Sequence, residues 1–140
     1  MIRKQPLIGI IDDDKIYQFT LQKIIKDTKQ AERIVTFSDG EKAIQYLSDN
    51  KTTIENIPDI IFLDVNMPIM DGWQFIEEYA RIKTDIKKKI VVFMLSSSIN
   101  PIDIERAGKI REISDYIVKP IKPNEVTTIF ENIRALISKF

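Results

Sequence analysis

Ile60-Ile-Phe-Leu-Asp64-Val-Asn-Met-Pro-Ile-Met-Asp-Gly72 is the stretch on which the fold turns. Its apolar residues run without polar alternation into an aspartate, and a turn-forming segment leads on to Gly72. Such a run marks a strand buried on both faces, as in a parallel sheet covered by helices above and below. The pattern recurs outward in both directions, at Leu7–Ile11, Ile34–Phe37, Ile90–Leu95 and Tyr116–Val118. Segments with helical spacing lie between these runs. Tyr17, Leu21, Ile24 and Ile25 share one face, Ala43, Ile44 and Leu47 a second, and Phe75, Ile76 and Tyr79 a third. Val126, Ile129, Phe130, Ile133, Leu136 and Ile137 form the last, after a start signal at Asn124-Glu125. Asn100-Pro101 reads as a cap followed by proline at the first helical position. Gly108 ends that helix early and leaves 109–114 irregular, while Asp49–Pro58 is a polar loop. Five strands alternating with five helices predict an α/β domain with a parallel sheet and right-handed crossovers.

Composition narrows the chemistry. The chain has 140 residues, 21 Lys+Arg against 21 Asp+Glu, and neither His nor Cys. Zinc fingers, thiol redox sites, cysteine nucleophiles and histidine bases are therefore excluded. Zero net charge argues against a broad electrostatic grip on nucleic acid or anionic lipid, so neither DNA binding nor membrane attachment is expected. The basic start at Met1–Lys4 imitates a signal leader, but Leu7–Ile11 is too short for a secretory core or a membrane span. Absence of Cys fits a reducing compartment, and the expected location is the cytoplasm. The run Lys87-Lys88-Lys89 reads as a solvated loop.

Ligands of such sheets sit outside the carboxyl ends of the strands. There the first strand runs into Asp12-Asp13-Asp14, the third into Asp64, the fourth into Ser96-Ser97-Ser98 and the fifth into Lys119-Pro120. Taken singly, each aspartate is a cap or turn residue, Ser96 is loop polarity and Lys119 is a surface lysine. Asp14 is a first-turn acidic residue, and Asp71 and Gly72 are turn residues. Jointly they converge on one edge. Crowded carboxylates need a positive counter-charge, and a hard, oxygen-preferring Mg²⁺ or Mn²⁺ is suited to it. Carboxylates, a metal, a lysine and a hydroxyl are the parts of phosphoryl transfer, with a carboxylate as nucleophile.

These residues resemble the receiver domain of two-component response regulators. Ile60–Gly72 resembles the phosphoacceptor strand with its Met-Pro-x-Met-Asp-Gly signature. Ile10–Asp14 is similar to the acidic pocket, Ser38-Asp-Gly-Glu-Lys-Ala43 to the entry of the second helix, and Asp115–Pro120 to the lysine strand. The resemblance implies a flavodoxin-like (βα)5 fold: a five-stranded parallel sheet in the order 2-1-3-4-5, with helices on both faces. It implies that Asp64 accepts the phosphoryl group. Asp13, Asp64 and the backbone carbonyl of Asn66 would then bind Mg²⁺, with Asp12 acting through water. Lys119 would pair with Asp64 and then with phosphoryl oxygens. Ser96 and Tyr116 would form the hydroxyl and aromatic switch, and the Lys119–Pro120 bond would be cis. Asn66 and Ser98 would tune phosphoryl lifetime. Ser96 replaces the commoner Thr, Ile113-Ser114 replaces Gly-Ala, and the Asp49–Pro58 loop is longer than usual.

The expectation is a single receiver domain over 1–140, with no output domain and no enzymatic role beyond its own phosphorylation and dephosphorylation. Its donor would be a histidine kinase or histidine phosphotransfer protein, and its output an unidentified protein target. Two alternatives stand beside it. One is a small phosphatase similar to haloacid dehalogenases, with Asp12 of Ile8–Asp14 as nucleophile. The other is a phosphorylation-independent interaction module.

Overall fold

The computed structural model describes the backbone of residues 5–137 and the side chains of residues 5–133. The Met1–Lys4 leader and the side chains of Leu136 and Ile137 lie outside the described residues. Five strands, β1 (Leu7–Ile11), β2 (Arg33–Phe37), β3 (Ile60–Asp64), β4 (Val91–Ser96) and β5 (Ile113–Val118), form one parallel sheet in the order β2-β1-β3-β4-β5. They alternate with α1 (Lys15–Asp27), α2 (Gly40–Asp49), α3 (Gly72–Ile82), α4 (Pro101–Gly108) and α5 (Pro123–Ile137). This is the flavodoxin-like arrangement expected from the sequence.

Strand periodicity sorts the core into two layers. Ile8, Ile10, Ile60, Phe62, Phe93 and Leu95 point toward α1 and α5, where Leu21, Ile25, Val126 and Phe130 meet them. Ile11, Ile61, Leu63, Val92 and Met94 point the other way, toward Leu47, Phe75, Ile76 and Ala107 of α2, α3 and α4. β1 and β3 are buried along their whole length, whereas the edge strands β2 and β5 are partly exposed. Each fully buried Leu, Ile or Phe contributes roughly 1.5–3 kcal/mol, so the central strands anchor the domain.

Helix starts follow the capping rules. Asp14, Asp39, Asp71 and Asn100 are the N-caps of α1 to α4, each accepting from backbone N–H groups in the first turn. Asp14 therefore stands one step outside the first turn where it was expected. Asp71 exchanges hydrogen bonds with Gln74 in a full capping box.

Three segments differ from expectation. β5 begins at Ile113, inside the stretch expected to be irregular. The register shifts between Val92 and Phe93, with Val92 opposite Ile113 and Phe93 opposite Asp115. Ser114 is thus the extra residue of a β-bulge, and exposed Ser114 and Asp115 on an edge strand hide the apolar pattern. Asp49–Pro58 is not wholly a polar loop, because it contains a 3₁₀ turn at Ile54–Asn56 and Ile57 is fully buried. In the lysine run, only Lys87 and Lys89 are exposed. Lys88 Nζ lies 3.1 Å from Asp59 and 2.5 Å from the Ile57 carbonyl.

The β3–α3 turn is tight. Ile69 takes φ 70°, which a β-branched residue adopts only under constraint. Gly72 has no positive φ, so it is not a conformational turn residue. Its role is proximity: a Cβ there would stand 2.7 Å from the Asp64 carbonyl oxygen and 2.9 Å from the Val65 Cα. Gly72→Ala is expected to lower stability by about 1–3 kcal/mol through backbone displacement. Denaturant unfolding measures this, and an unchanged midpoint would refute the close approach as the reason for glycine.

Candidate functional site

The carboxyl edge of the sheet gathers side chains from separate strands. Asp12 and Asp13 follow β1, Asp64 and Ser96 end β3 and β4, and Lys119 follows β5. Asp12, Asp64 and Ser96 are the buried polar residues here, at 1%, 5% and 1% exposure, while Asp13 is exposed. Lys119 Nζ stands 3.0 Å from Asp12 Oδ2 and 3.0 Å from Asp64 Oδ1. To reach both it crosses the end of β4, and its backbone N–H donates to the Ser96 carbonyl at 2.8 Å on the way. The Lys119–Pro120 bond is cis.

The surroundings hold Asp12 and Lys119 in place. Asp12 Oδ1 accepts from the Asp14 N–H at 2.9 Å. Gln18 Nε2 donates to the Asp12 carbonyl at 2.5 Å and to the Phe37 carbonyl at 3.1 Å. Lys119 Nζ lies 4.2 Å from the ring centroid of Tyr17, a cation–π contact. The Tyr17 hydroxyl accepts from the Ile121 N–H at 3.2 Å. Sequence reasoning missed Tyr17 and Gln18 as site residues. Tyr17 also carries a helical apolar pattern, and its polar partners lie across the sheet.

Electrostatics at this edge are tense. Burial pushes Asp64 up to about 6; the Lys119 hydrogen bond opposes this and the Asp12 charge reinforces it. For Lys119, burial acts downward, but the hydrogen bonds to Asp12 and Asp64 outweigh it and leave its pKa raised. Burial likewise raises Tyr17. Asp12, Asp13 and Asp64 each place one carboxylate oxygen within 4.8 Å of the others. With Lys119 the group carries two net negative charges. One divalent cation balances these, and the donors are all hard oxygens, so the residues fit Mg²⁺ or Mn²⁺. Asn66 lies two residues past Asp64 and is exposed.

Ser96 belongs to a hydrogen-bonded loop. Its Oγ accepts from the Ser98 N–H at 3.1 Å, Ser98 Oγ bonds Asp103 Oδ2 at 2.8 Å, and the Tyr116 hydroxyl donates to the Ser98 carbonyl at 2.9 Å. Ser98 thus joins Ser96, α4 and Tyr116. Arg106 on α4 caps the Trp73 ring of α3 at 4.2 Å.

Residues 8–131 match the family described as "Response regulator receiver domain", and the chain belongs to it. That membership takes the place of the phosphatase reading. A two component response regulator from Cytophaga hutchinsonii, a solved structure, is 31% identical; the match covers 96% of this chain and 99% of that one with a TM-score of 0.85. The phosphorylated cyanobacterial phytochrome response regulator RcpA is 30% identical, with a TM-score of 0.69 over 94% of this chain and 93% of its own. The transcriptional regulatory protein YpdB of Escherichia coli K12 is 29% identical over 129 residues, which is 90% of this chain and 46% of YpdB. The chain therefore spans about half the length of that curated relative. No helix among the described residues is long and apolar enough to cross a membrane.

The raised Asp64 has a measurable consequence. The folded state holds this carboxyl's proton more tightly than the unfolded chain, where its ordinary value is 3.8. Its contribution to stability therefore falls as pH rises from about 4 through about 6 and is level above that. In metal-free buffer, Asp64→Asn is expected to be more stable than wild type at pH 7, by on the order of 1–2 kcal/mol. The advantage should fade toward pH 4 and shrink when Mg²⁺ is added. Denaturant unfolding of both proteins across this range checks it, and a pH-independent difference would refute it.

Proposed function

We propose that this chain is a phosphoacceptor of a two-component system that receives a phosphoryl group on Asp64 from a phosphohistidine. The donor is a histidine kinase or a histidine phosphotransfer protein. The observation that carries this reading is the buried Asp64 carboxylate facing Asp12 across one lysine, each at 3.0 Å. At neutral pH Asp64 is ionised, and its free oxygen attacks phosphorus as the donor's N–P bond breaks. Lys119, already charged and oriented, moves its hydrogen bond from the carboxylate to the incoming phosphoryl oxygens. Asp13, Asp64 and the Asn66 carbonyl would hold Mg²⁺ or Mn²⁺, with Asp12 acting through its water. The metal would supply charge neutralisation for phosphoryl oxygens. The chain is a signalling protein whose catalysis extends only to its own labelling and hydrolysis.

The new dianion is the driving force of the switch. Ser96 Oγ turns toward the phosphoryl oxygen, which means leaving the Ser98 N–H. Ser98 also holds Tyr116 and Asp103, so the change passes to α4 and β5 and alters the surface they present to a target protein. Ser98 and Asn66, each two residues past a key group, are the positions proposed to set phosphoryl lifetime. Residues 1–140 act as one receiver domain in this proposal. It works in the cytoplasm, where ATP-dependent kinases load the donor histidine.

Labelling tests the assignment. With acetyl phosphate or a phosphorylated kinase, wild type is expected to gain an acid-labile, hydroxylamine-sensitive label that EDTA prevents. Asp64→Asn should gain none, and a retained label in that variant would sink the assignment.

The donor must approach over an apolar rim. Ile16 and Phe19 in the first turns of α1 are 80% and 70% exposed, and Ile69 beside the signature turn is 74% exposed. Such a patch beside the acceptor suits a protein donor. Phe19→Ala with Ile16→Ala is expected to slow transfer from a phosphohistidine donor by roughly tenfold or more and to leave acetyl phosphate labelling unchanged. Equal slowing of both would refute a docking role.

A further inference from the structure

The edge of the sheet opposite the aspartates holds a cavity of about 550 Å³. It lies where α3 ends and where β4 and β5 begin, and it shares no wall with the phosphoacceptor site. Lys83, Lys87, Lys88, Lys89 and Arg111 line it against a single carboxylate, Glu112. Two of these cations are engaged. Lys83 Nζ is 2.5 Å from Glu112, and Lys88 Nζ is 3.1 Å from Asp59. Arg111 shares the charge of the same Glu112. Lys87 and Lys89 are exposed and have no ion-pair partner among the described residues.

The cavity also has a built floor. Tyr79 is 5% exposed, with Ile86 and Ile90 buried beside it. Burial, with Glu112 nearby, pushes the Tyr79 hydroxyl up to about 12. The phenol is neutral at every physiological pH and keeps its proton as a donor. A concave site of this size is in the range of small-molecule sites, roughly 300–1,000 Å³. Like charges crowded around it repel, and a multiply charged anion relieves that repulsion. Lysine ammonium groups are mobile point charges suited to phosphate oxygens. Phosphates concentrate several charges in this volume, whereas an acidic peptide would have to bring in several whole side chains.

We propose that this cavity is a second binding site, for a small oligoanionic phosphate ligand, either an inorganic oligophosphate or the phosphate tail of a nucleotide. It is independent of the Asp64 reading. The test is an amide-resonance NMR titration of the full chain with tripolyphosphate and, separately, with ATP. EDTA is present so that no metal–phosphate complex enters the aspartate site, and salt is about 0.15 M. Saturable shifts are expected at 82–90 and 110–114. Lys87→Glu with Lys89→Glu should weaken binding by about tenfold or more while the variant keeps the wild-type dispersion of amide resonances outside 82–90 and 110–114, which shows that it is folded. Tighter binding of ATP than of tripolyphosphate would identify a nucleotide as the source, and equal binding an oligophosphate. Unsaturable shifts, shifts spread over surface lysines in general, or equally tight binding of a polyglutamate peptide would overturn the proposal. The last outcome would point to an acidic protein partner.

Discussion

Two buried carboxylates share one lysine, and much of the structure follows from holding that arrangement together. Asp12 and Asp64 come from the ends of neighbouring central strands, and both are buried. Left alone they would repel or take up a proton. Lys119 counters this by reaching in from the far edge strand, across the end of β4. That reach ties β1, β3 and β5 together at one edge. The balance is incomplete. Asp64 stays raised to about 6, so the site retains a demand for further positive charge. That residual demand, set among hard carboxylate oxygens, suits the site to a divalent cation.

The three consecutive aspartates show how burial divides labour among identical side chains. Asp12 is turned into the sheet edge, Asp13 faces solvent, and Asp14 caps α1. Their roles differ because the end of the strand buries Asp12 while Asp13 and Asp14 stay exposed, Asp14 at the start of a helix. Asp14 still serves the site, because its N–H holds one Asp12 oxygen. The cap and the acidic pocket are one hydrogen-bonded unit, which makes the geometry of α1 part of the geometry of the pocket.

Much of this was legible in residues alone. The apolar runs located β1, β3 and β4 closely, because strands buried on both faces have little freedom in composition. Asn100-Pro101 and Gly108 bounded α4 because capping and proline geometry are local. The convergence of Asp12, Asp13, Asp64, Ser96 and Lys119 on one edge followed from parallel topology. What stayed hidden depends on contacts distant in sequence. Tyr17 lies under Lys119, Ser98 links Ser96 to Tyr116 and Asp103, and Lys88 is drawn from its charged run to Asp59. No spacing rule reports these.

The β5 bulge divides the two kinds of information most clearly. Sequence by itself determined that a strand near Tyr116 delivers Lys119 to the acidic edge, since an apolar run followed by Lys-Pro needs only local pattern. It did not determine which face Tyr116 occupies. Side chains alternate with period two, so one extra residue at Ser114 exchanges the faces of everything beyond it. With the bulge, Ile113 and Tyr116 both pack on the α4 side, and Tyr116 meets Ser98. Only pairing with β4 decides where that residue is inserted, because the choice rests on hydrogen bonds and burial between strands about twenty positions apart. The parts list was written in the chain; the aim of each part was set by the sheet.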